Sequence, residues 1–573
     1  MYIEDLKKDF YNVIIGERLL LLVNFDIDSI CACKILQYLF RCDNVVYTLV
    51  PIQGIKDLKN AYNENRSEVK YVLLINCGGN IDIVESLEPD DDVVFFVADN
   101  HRPTDVCNVY SNGQVRLLMQ PTSDEGIPGF DDIFRDEESD DEEDGEEEDD
   151  DDDEGEDSEE RVESARQKRM RMSEEAILKR REKRVWEESR RRILFEYTQF
   201  SYYGQSCSVL MFELAWKLSK DNHDLIWWAI VGATEQLILG KVENQHYVLE
   251  SGNLQNHVSR LSHQSSADAN AQNTGVKITF DKDLRLALYR HWTVEASIKH
   301  TMYTACKLKL WSLRGEKRLN ELLAEMGLPL VQSRQKFSAM DLVLRKEFQT
   351  SLEKVSEKYG LSNIVYASFV LQYGFRSRFC AADVVYAMLA LLEGTGKTKS
   401  ASDCFLDALD CLSRSQKDIL TGGIEKAKRL LECIFKQVQT SLDMSQVLSA
   451  GPFLYLVIQE GVLDSACFSN PHCLSLLASF ALRAHVAISR SRRAPNLPLV
   501  ISAPLDHAEG TCLILGIPPV SEDSPRNFFG KAFEQAAEKT NSRAVFDYFD
   551  TSCMQLKCED RGKFFDALTS LLS

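Results

Sequence analysis

The sequence predicts an α/β protein with a doubly wound parallel sheet first, helical additions next, and a smaller α/β unit at the end. Three observations support this class. Short apolar runs recur about every 25 residues near the N-terminus, helical periodicity dominates the middle, and strand-like runs return near the end. A chain of 573 residues is too long for a single hydrophobic core, so several domains are expected.

The first domain, predicted over residues 1–125, is defined by four apolar runs of a length typical of strands buried on both faces of a parallel sheet. Helix-like stretches separate them, and a doubly wound sheet of this kind holds ligands beyond the carboxyl ends of its strands. The predicted strands are Leu19–Val23, Val45–Val50, Tyr71–Ile75 and Val93–Val97, and the predicted helices are Ser29–Phe40, Leu58–Asn65 and Ile81–Leu87.

Polar residues follow three of these strands. Asp26 and Asp28 come after the first strand, Asn76 after the third, and the triplet Asp99-Asn100-His101 after the fourth. In the predicted sheet these groups converge along one edge, where carboxylates and an imidazole could hold a metal. A simpler interpretation of each Asp is a helix cap, for Asp28 in particular. The three strand ends together favour a site.

Residues 131–160 hold 23 Asp or Glu and one Arg, so they carry nearly all of the net charge of −23. Such a segment cannot bury enough apolar surface to fold, which predicts a disordered acidic linker over residues 126–164. Ser139 and Ser158 lie among the acids, as the sites of an acid-directed kinase would. They are therefore candidate phosphorylation sites.

Residues 165–250 are predicted to form a basic helix and then apolar helices that complete the first domain. The clusters Arg166–Arg171 and Lys179–Arg184 have the composition of nuclear-import signals, with a solvated helix face as the alternative. A polar loop is predicted over residues 251–280 and a helical inter-domain region over 281–392. Residues 393–573 are predicted as the smaller α/β unit, with strands Phe453–Ile458, Leu497–Ser502, Thr511–Ile517 and Ser552–Cys558 and helices Asn527–Thr540 and Arg561–Leu572.

The composition also argues against several classes of protein. No apolar stretch has the ~20 residues of a membrane span, and the N-terminus does not have the pattern of a signal peptide. The 16 cysteines are scattered and include no CxxC pair, so we expect reduced thiols, mostly in the core, and no zinc site. A cytosolic or nuclear protein without a membrane partner is expected.

Two segments that combine arginines with aromatic residues are candidate contacts with single-stranded DNA. Arginine pairs with phosphates and aromatic rings stack on bases. The alternative is that the rings belong to the core and the arginines are merely solvated. Because the chain outside the acidic tract is nearly neutral, unaided affinity should be modest and salt-sensitive. The candidates are Tyr373, Arg376, Arg378, Arg490, Arg492 and Arg493.

The ordered motifs FDID, INCGGN and VADNHRP resemble the DHH phosphoesterase superfamily, whose RecJ-type exonucleases carry DxD, a strand-end Asp and an Asp-His-His triplet. In AIVGATEQL, Glu235 matches a later acidic residue on a helix of those enzymes. The resemblance implies a DHH-like N-terminal domain and a smaller DHHA1-like C-terminal domain.

The departures from the superfamily pattern concern catalysis. Asn76 and Asn100 stand where active members have a metal-binding Asp and the first His, and SEDSPRNFFGKAFEQAAEKT lacks the GGGH-like substrate motif. Two divalent ions bring four positive charges that carboxylates must offset, and an amide is a poor ligand for such ions. We therefore expect no catalytic residues, no bound metal and no cofactor. The two amides are expected to hydrogen-bond the neighbouring carboxylates instead.

The motifs CACKIL, SYYGQSCSVLMFELAWKLSKD, HDLIWWAIVG, MGLPL, GPFLYL and DALTSLLS resemble more closely one eukaryotic branch, the cell division cycle protein 45 family. This resemblance implies a non-enzymatic subunit of the replicative helicase that joins the MCM ring and the GINS tetramer in the nucleus. It also implies contacts with single-stranded and fork DNA, and with other replication factors such as DNA polymerases and loading factors. The alternative is a metal-dependent single-strand exonuclease or phosphoesterase of the DHH family with an incomplete ligand set.

Overall fold

The computed structural model divides the chain into two compact units, Met1–Thr122 with Phe200–Ser573, and Ser123–Gln199. Within them it describes residues 1–121, 125–135, 180–267, 276–374, 377–394, 399–459, 465–520 and 526–573. Several sequence predictions lie outside the described residues: most of the acidic linker, Ser139, Ser158, the cluster Arg166–Arg171, Lys179 and Arg376.

The N-terminal sheet is parallel throughout, in the order β2-β1-β3-β4-β6. Residues 19–23 of β1 are fully buried, with Leu19 and Leu21 in the core on one face and Leu20 and Leu22 on the other, which is why this strand is apolar throughout. The doubly wound prediction is confirmed. The strands are β1 Arg18–Asn24, β2 Val46–Ile52, β3 Tyr71–Ile75, β4 Val94–Ala98, β5 His101–Arg102 and β6 Val115–Leu117, and the helices are α1 Asn12–Ile14, α2 Ile27–Asp43, α3 Ile55–Asn65, α4 Ile83–Leu87 and α5 Val106–Val109.

The smaller unit contains α6, Phe130–Ile133, and α7, residues 180–198, which is the described part of the predicted basic helix. Arg190 of α7 donates from Nε to the carbonyl of Ile133 at 2.8 Å. Its guanidinium lies over the ring of Trp186, 5.8 Å from the ring centroid. The hydrogen bond to Ile133 joins the two helices within the unit.

The following segment holds the short strand β7, Tyr202–Tyr203, and the helices α8 Cys207–Lys217, α9 His223–Ile238 and α10 Asn244–Ala267. The prediction of a polar loop from residue 251 was wrong, because α10 extends through most of it. Tyr247, Leu254, Val258 and Leu261 are buried and spaced as on one face of a helix. The polar residues between them obscured that apolar stripe.

The predicted helical region over 281–392 was wrong in part, because it also contains an antiparallel sheet in the order β10-β9-β8. Its central strand, VYASFVLQY, is rich in the β-branched and aromatic residues that favour strands. The strands are β8 Val276–Leu284, β9 Val365–Tyr373 and β10 Ser377–Cys380, and the helices are α11 Val294–His300, α12 Met302–Leu308, α13 Leu313–Glu325, α14 Leu330–Ser333, α15 Leu342–Ser356 and α16 Ala381–Leu392.

The C-terminal sheet is mixed and has the order β11-β12-β13-β14-β16-β15. Its strands are β11 Leu448–Ser449, β12 Leu454–Val457, β13 Leu499–Asp506, β14 Thr511–Ile517, β15 Ala544–Val545 and β16 Cys553–Lys557. The helices are α17 Ala401–Cys411, α18 Lys417–Asp443, α19 Pro471–Ile488, α20 Phe529–Thr540 and α21 Arg561–Leu572.

Helix α19 is long and apolar enough to cross a membrane by length and composition. It packs on β13, β14 and α18, and eight of its residues are buried inside the protein. A core helix accounts for both its composition and its contacts.

Candidate functional site

The strand ends converge as the sequence predicts, because β1, β3 and β4 are adjacent and parallel. The strand order reverses between β1 and β3, which is the position where doubly wound sheets open a ligand crevice. We call the polar residues beyond these strands the strand-end edge: Asp26, Asp28, Asn76, Asp99, Asn100 and His101, each at most 8% exposed.

The helix cap beyond β1 is Asp26, and not Asp28 as the alternative interpretation had it. Asp26 Oδ1 accepts a hydrogen bond from the Ser29 backbone N–H at 2.8 Å, and Asp26 Oδ2 accepts one from the Ser29 hydroxyl at 2.7 Å. Asp28 lies in the first turn of α2, fully buried. Its carboxylate is therefore available to contacts from other parts of the chain.

The N-terminus of α8 binds the carboxylate of Asp28. Cys207 N–H donates to Asp28 Oδ2 at 2.8 Å, and Ser208 N–H donates to Oδ1 at 3.0 Å. The hydroxyl of Ser206, the residue before the helix, donates to Oδ1 as well. Free N–H groups and the helix dipole at a helix N-terminus stabilise an anion. The carboxylate of Asp28 is thus held by hydrogen bonds from two backbone N–H groups and one hydroxyl.

The two asparagines complete this arrangement. Asn76 has φ +52°, a conformation that Asn tolerates better than most residues, and its Nδ2 lies 3.3 Å from Asp28 Oδ2 and 3.4 Å from Asp26 Oδ1 and Oδ2. Asn100 Nδ2 donates to Asp28 Oδ2 at 3.0 Å, and Asn100 N–H donates to Asn76 Oδ1 at 3.0 Å. Both amides hydrogen-bond the neighbouring carboxylates, as the sequence predicts.

Asp99 and His101 form a buried pair. His101 Nδ1 lies 2.7 Å from Asp99 Oδ1, and Gly79 N–H donates to Asp99 Oδ2 at 2.7 Å. Burial acts to raise the pKa of Asp99, but the His101 imidazole and these hydrogen bonds outweigh it and hold that pKa below its ordinary value. Burial likewise acts to lower the pKa of His101, but Asp99 keeps it raised.

Glu235 lies fully buried on α9, and its partner is a residue that the sequence did not single out. Lys241 Nζ lies 2.8 Å from Glu235 Oε1 and 4.8 Å from the centroid of the Tyr203 ring. Burial raises the pKa of Glu235 to about 7, although the ammonium of Lys241 opposes this shift. Burial acts to lower the pKa of Lys241, but the carboxylates of Glu235, Asp26 and Asp28 raise it.

These residues do not fit the two divalent ions that DHH enzymes hold. A cation needs oxygen lone pairs directed at it, whereas Asn76 Nδ2 and Asn100 Nδ2 direct N–H groups toward the carboxylates of the edge. Both oxygens of Asp28 already accept protein donors, and Glu235 faces an ammonium. The carboxylates of Asp26, Asp28 and Asp99 therefore accept hydrogen bonds from the chain's own donors.

The edge borders a cleft of about 1180 Å³. Asp26, His101, Tyr203 and Lys241 line it on the side of the strand-end edge, and Tyr548 with other residues near β16 lines it from the C-terminal sheet. The cleft also contains a basic wall formed by Arg285, Lys307 and Arg483. The strand-end edge therefore lies beside a groove.

The candidate DNA contacts lie apart from this cleft, since none of those that the structure describes lines it. Tyr373 is half-buried and stacks on Phe379 with ring centroids 6.0 Å apart, so its ring packs against the protein. Arg378 on β10 is exposed, as are Arg490, Arg492 and Arg493 after α19. These positions agree with the alternative in which the aromatic rings belong to the core and the arginines are merely solvated.

The residues that sequence analysis missed are the donors: Ser206, Cys207, Ser208 and Lys241. A serine directly before an apolar helical run, in GQSCSVLMF, was a recognisable helix-start signal. It indicated the helix but gave no indication that Asp28 would lie at its end. For Lys241 the only signal in the sequence was the preceding Gly240, because glycine commonly follows the end of a helix. In the structure Gly240 has φ +71° and reverses the chain after α9.

Comparison with known proteins provides independent evidence on the family of this chain. A sequence model of the CDC45 family matches residues 19–571. The chain is 46% identical over 578 residues to the cell division control protein 45 homolog of Homo sapiens, covering 100% of both chains. It is 30% identical over 617 residues to the Dictyostelium discoideum homolog, covering 96% of this chain and 95% of that one.

The fold is also similar to a crystal structure of CDC45 from Entamoeba histolytica. The TM-score is 0.69 at 21% identity, and the likeness covers 100% of both chains. Sequence and fold agree from end to end, and the chain belongs to the CDC45 family.

Proposed function

We propose that the protein acts in eukaryotic DNA replication as a non-enzymatic subunit of the replicative helicase. In this role it joins the MCM ring and the GINS tetramer during initiation and elongation, in the nucleus. Family membership over residues 19–571 supports the replication role. The observation that supports a non-enzymatic role is the strand-end edge, where Asn76 and Asn100 direct N–H groups toward carboxylates that a metal would need.

Co-purification tests the assembly. The full chain, tagged and expressed in cells in place of the native protein, should co-purify with MCM and GINS subunits in comparable amounts. Recovery of the chain without either complex contradicts the proposal.

The exposed basic face of α7 is the expected contact surface for this assembly. Arg180, Arg181 and Arg184 are exposed, so reversing all three to Glu should reduce recovery of MCM and GINS. The matched control is Asp26→Ala, which changes the strand-end edge and should reduce recovery less. The opposite order of effects would make the edge itself the interface.

Contacts with single-stranded DNA form a separate part of the proposal. Changing Arg490, Arg492 and Arg493 to Ala should weaken DNA binding for all sequences alike and reduce its salt dependence, because phosphate contacts release counterions. Arg314 on α13 is also exposed, and Arg314→Ala is the control that should leave binding unchanged. An unchanged salt dependence in the triple variant would place the DNA contacts elsewhere, for example on the basic wall of the cleft.

A metal-dependent single-strand exonuclease or phosphoesterase remains the second candidate, because four carboxylates and a histidine still meet beside the cleft. Elemental analysis of the purified protein and hydrolysis of single-stranded DNA with added Mn²⁺ distinguish the two. The helicase-subunit proposal expects no stoichiometric metal and no hydrolysis. Two bound ions per chain, with hydrolysis lost in Asp28→Ala, would establish the enzyme.

A further inference from the structure

The position of Lys241 is determined by the C-terminus of α9. Lys241 N–H donates to the carbonyl of Gln236 at 2.9 Å, and Gly240 N–H donates to that of Leu237 at 3.2 Å. Together with the positive φ of Gly240, these bonds turn the chain back on the helix. The side chain of Lys241 is therefore returned to Glu235, six residues earlier.

The ammonium of Lys241 is enclosed by groups that favour a cation. Its side chain is 13% exposed and that of Glu235 1% exposed, so water contributes little. The Tyr203 ring lies below it at 4.8 Å, a geometry that stabilises a cation. Tyr203 is itself held by its strand pairing with His101 and by the bond from its hydroxyl to Asp550 Oδ2 at 3.1 Å.

The strand-end edge and the neighbouring Glu235 together hold four buried carboxylates, those of Asp26, Asp28, Asp99 and Glu235. Lys241 pairs with Glu235 and His101 pairs with Asp99, while the buried guanidinium of Arg102 donates to the backbone carbonyls of Asp99 and His101. Buried carboxylates repel one another, because all are negatively charged, unless a positive charge lies among them. In a DHH enzyme that charge comes from divalent ions.

We infer that Lys241 is a built-in counter-ion, whose ammonium takes the place of a divalent ion at the strand-end edge and excludes one from it. A divalent ion bound beside Glu235 would be repelled by the nearby ammonium of Lys241, because little water is present to screen the two charges. Metal binding is therefore weakened by two additive contributions in this chain, so that removing either one restores part of it. One is the replacement of ligands by Asn76 and Asn100, and the other is the cation at residue 241.

The inference is tested by restoring the ligands with and without the lysine. The full-length variants are Asn76→Asp/Asn100→His and the same pair with Lys241→Met, and the probe is Mn²⁺ alone, titrated by calorimetry. The triple variant should bind Mn²⁺ at least about tenfold more tightly than the double variant, which corresponds to about 1.4 kcal/mol. Equal affinities would overturn the inference. Adding Lys241→Arg to the double variant should keep binding weak, because the charge is retained.

A second measurement covers the case in which the triple variant does not fold. In Lys241→Met alone, added Mn²⁺ should raise the melting temperature, since a metal can replace the missing charge, while the unmodified protein should not respond. Lys220 offers a matched control, because it also pairs with a carboxylate, Asp43, and lies 5.9 Å from the centroid of the Tyr11 ring. A response of Lys220→Met as large as that of Lys241→Met, or none in either, would contradict the role assigned to Lys241.

Discussion

Two buried clusters of charge in this protein are neutralised in different ways. In the antiparallel sheet, Asp283 faces one cation: Arg290 donates from Nη1 and Nη2 at 2.8 and 2.7 Å, and the Tyr289 hydroxyl adds a bond of 2.9 Å. At the strand-end edge and the neighbouring Glu235, four carboxylates lie beside one ammonium, one imidazole, two amides and the N–H groups of a helix. The first cluster is a one-to-one structural ion pair.

The difference shows what kind of site the edge is. A structural pair needs as many cations as anions, and the Asp283–Arg290 pair meets that condition. At the edge and the neighbouring Glu235, Lys241 and His101 pair with two of the four carboxylates. Backbone N–H groups and the two amides hydrogen-bond the others. The edge is a hydrogen-bonded network rather than a one-to-one ion pair.

The largest effect is expected from breaking the one-to-one pair. Arg290→Met leaves Asp283, which is 2% exposed, as a buried charge without its cation. The free energy of unfolding should fall by about 3–5 kcal/mol, measured by urea denaturation. The control Asp283→Leu/Arg290→Met removes both charges and should recover most of this loss. A loss below about 1 kcal/mol in the single variant would show that the pair is not what stabilises this region.

A smaller loss is expected at the edge, where compensation is shared among several donors. Asp28→Ala removes the acceptor of Cys207 N–H, Ser208 N–H and Asn100 Nδ2 and leaves these buried donors unsatisfied. We expect a loss of about 2–3 kcal/mol in urea denaturation. Asp28→Asn retains one acceptor oxygen and should lose less. Equal losses in the two variants would mean that the lost hydrogen bonds do not account for the decrease in the free energy of unfolding, and that cavity formation does.

The pH dependence of the two clusters should also differ. The folded-state pKa of His101 is raised, so its stabilisation is fully present below the unfolded pKa of about 6.5 and is lost as pH rises through the folded pKa. The pKa of Asp99 is lowered, so its contribution is present above the unfolded pKa of about 3.9 and is lost as pH falls through the folded pKa.

His101→Gln should therefore cost about 1 kcal/mol between about pH 4 and 6.5 and less at higher pH. Melting temperature measured from pH 5 to 9 checks this. The control Arg290→Met should show a loss that does not vary over this range, because the pKa of Asp283 is lowered and that of Arg290 is raised. A pH-independent loss in His101→Gln would mean that the imidazole is not charged in the folded state.

The smallest effect is expected from the acidic tract. Deleting residues 136–160 removes most of the net negative charge of the chain, but charges more than about 8–10 Å away are screened in physiological salt. The melting temperature should change by no more than about 1 °C. A large decrease in melting temperature would show that the tract contributes to folded structure. A large increase would show that the negative charge of the tract destabilises the carboxylates of the strand-end edge.

The sequence alone determined the elements with strong local signals. Strand β3, strand β14 and helix α21 have the predicted bounds, because each is an unambiguous apolar or amphipathic run between turn residues. Ten of the 16 cysteines are buried, in agreement with the expectation that most lie in the core. The convergence of Asp26, Asn76 and Asp99 was also predictable, since strand order and direction follow from the repeated αβ pattern.

Only the tertiary structure decided which groups satisfy those side chains. Helix α10 was missed because polar residues separate the buried positions of its apolar face. The strands β8 and β10 are stabilised by pairing with β9 from distant parts of the chain, although the composition of β9 itself favours a strand. The carboxylate of Asp28 meets the N-terminus of α8, 179 residues later, and the ammonium of Lys241 reaches Glu235 through a helix end that reverses the chain. Electrostatic compensation depends on distances in space, and the spacing of residues along a chain does not determine those distances.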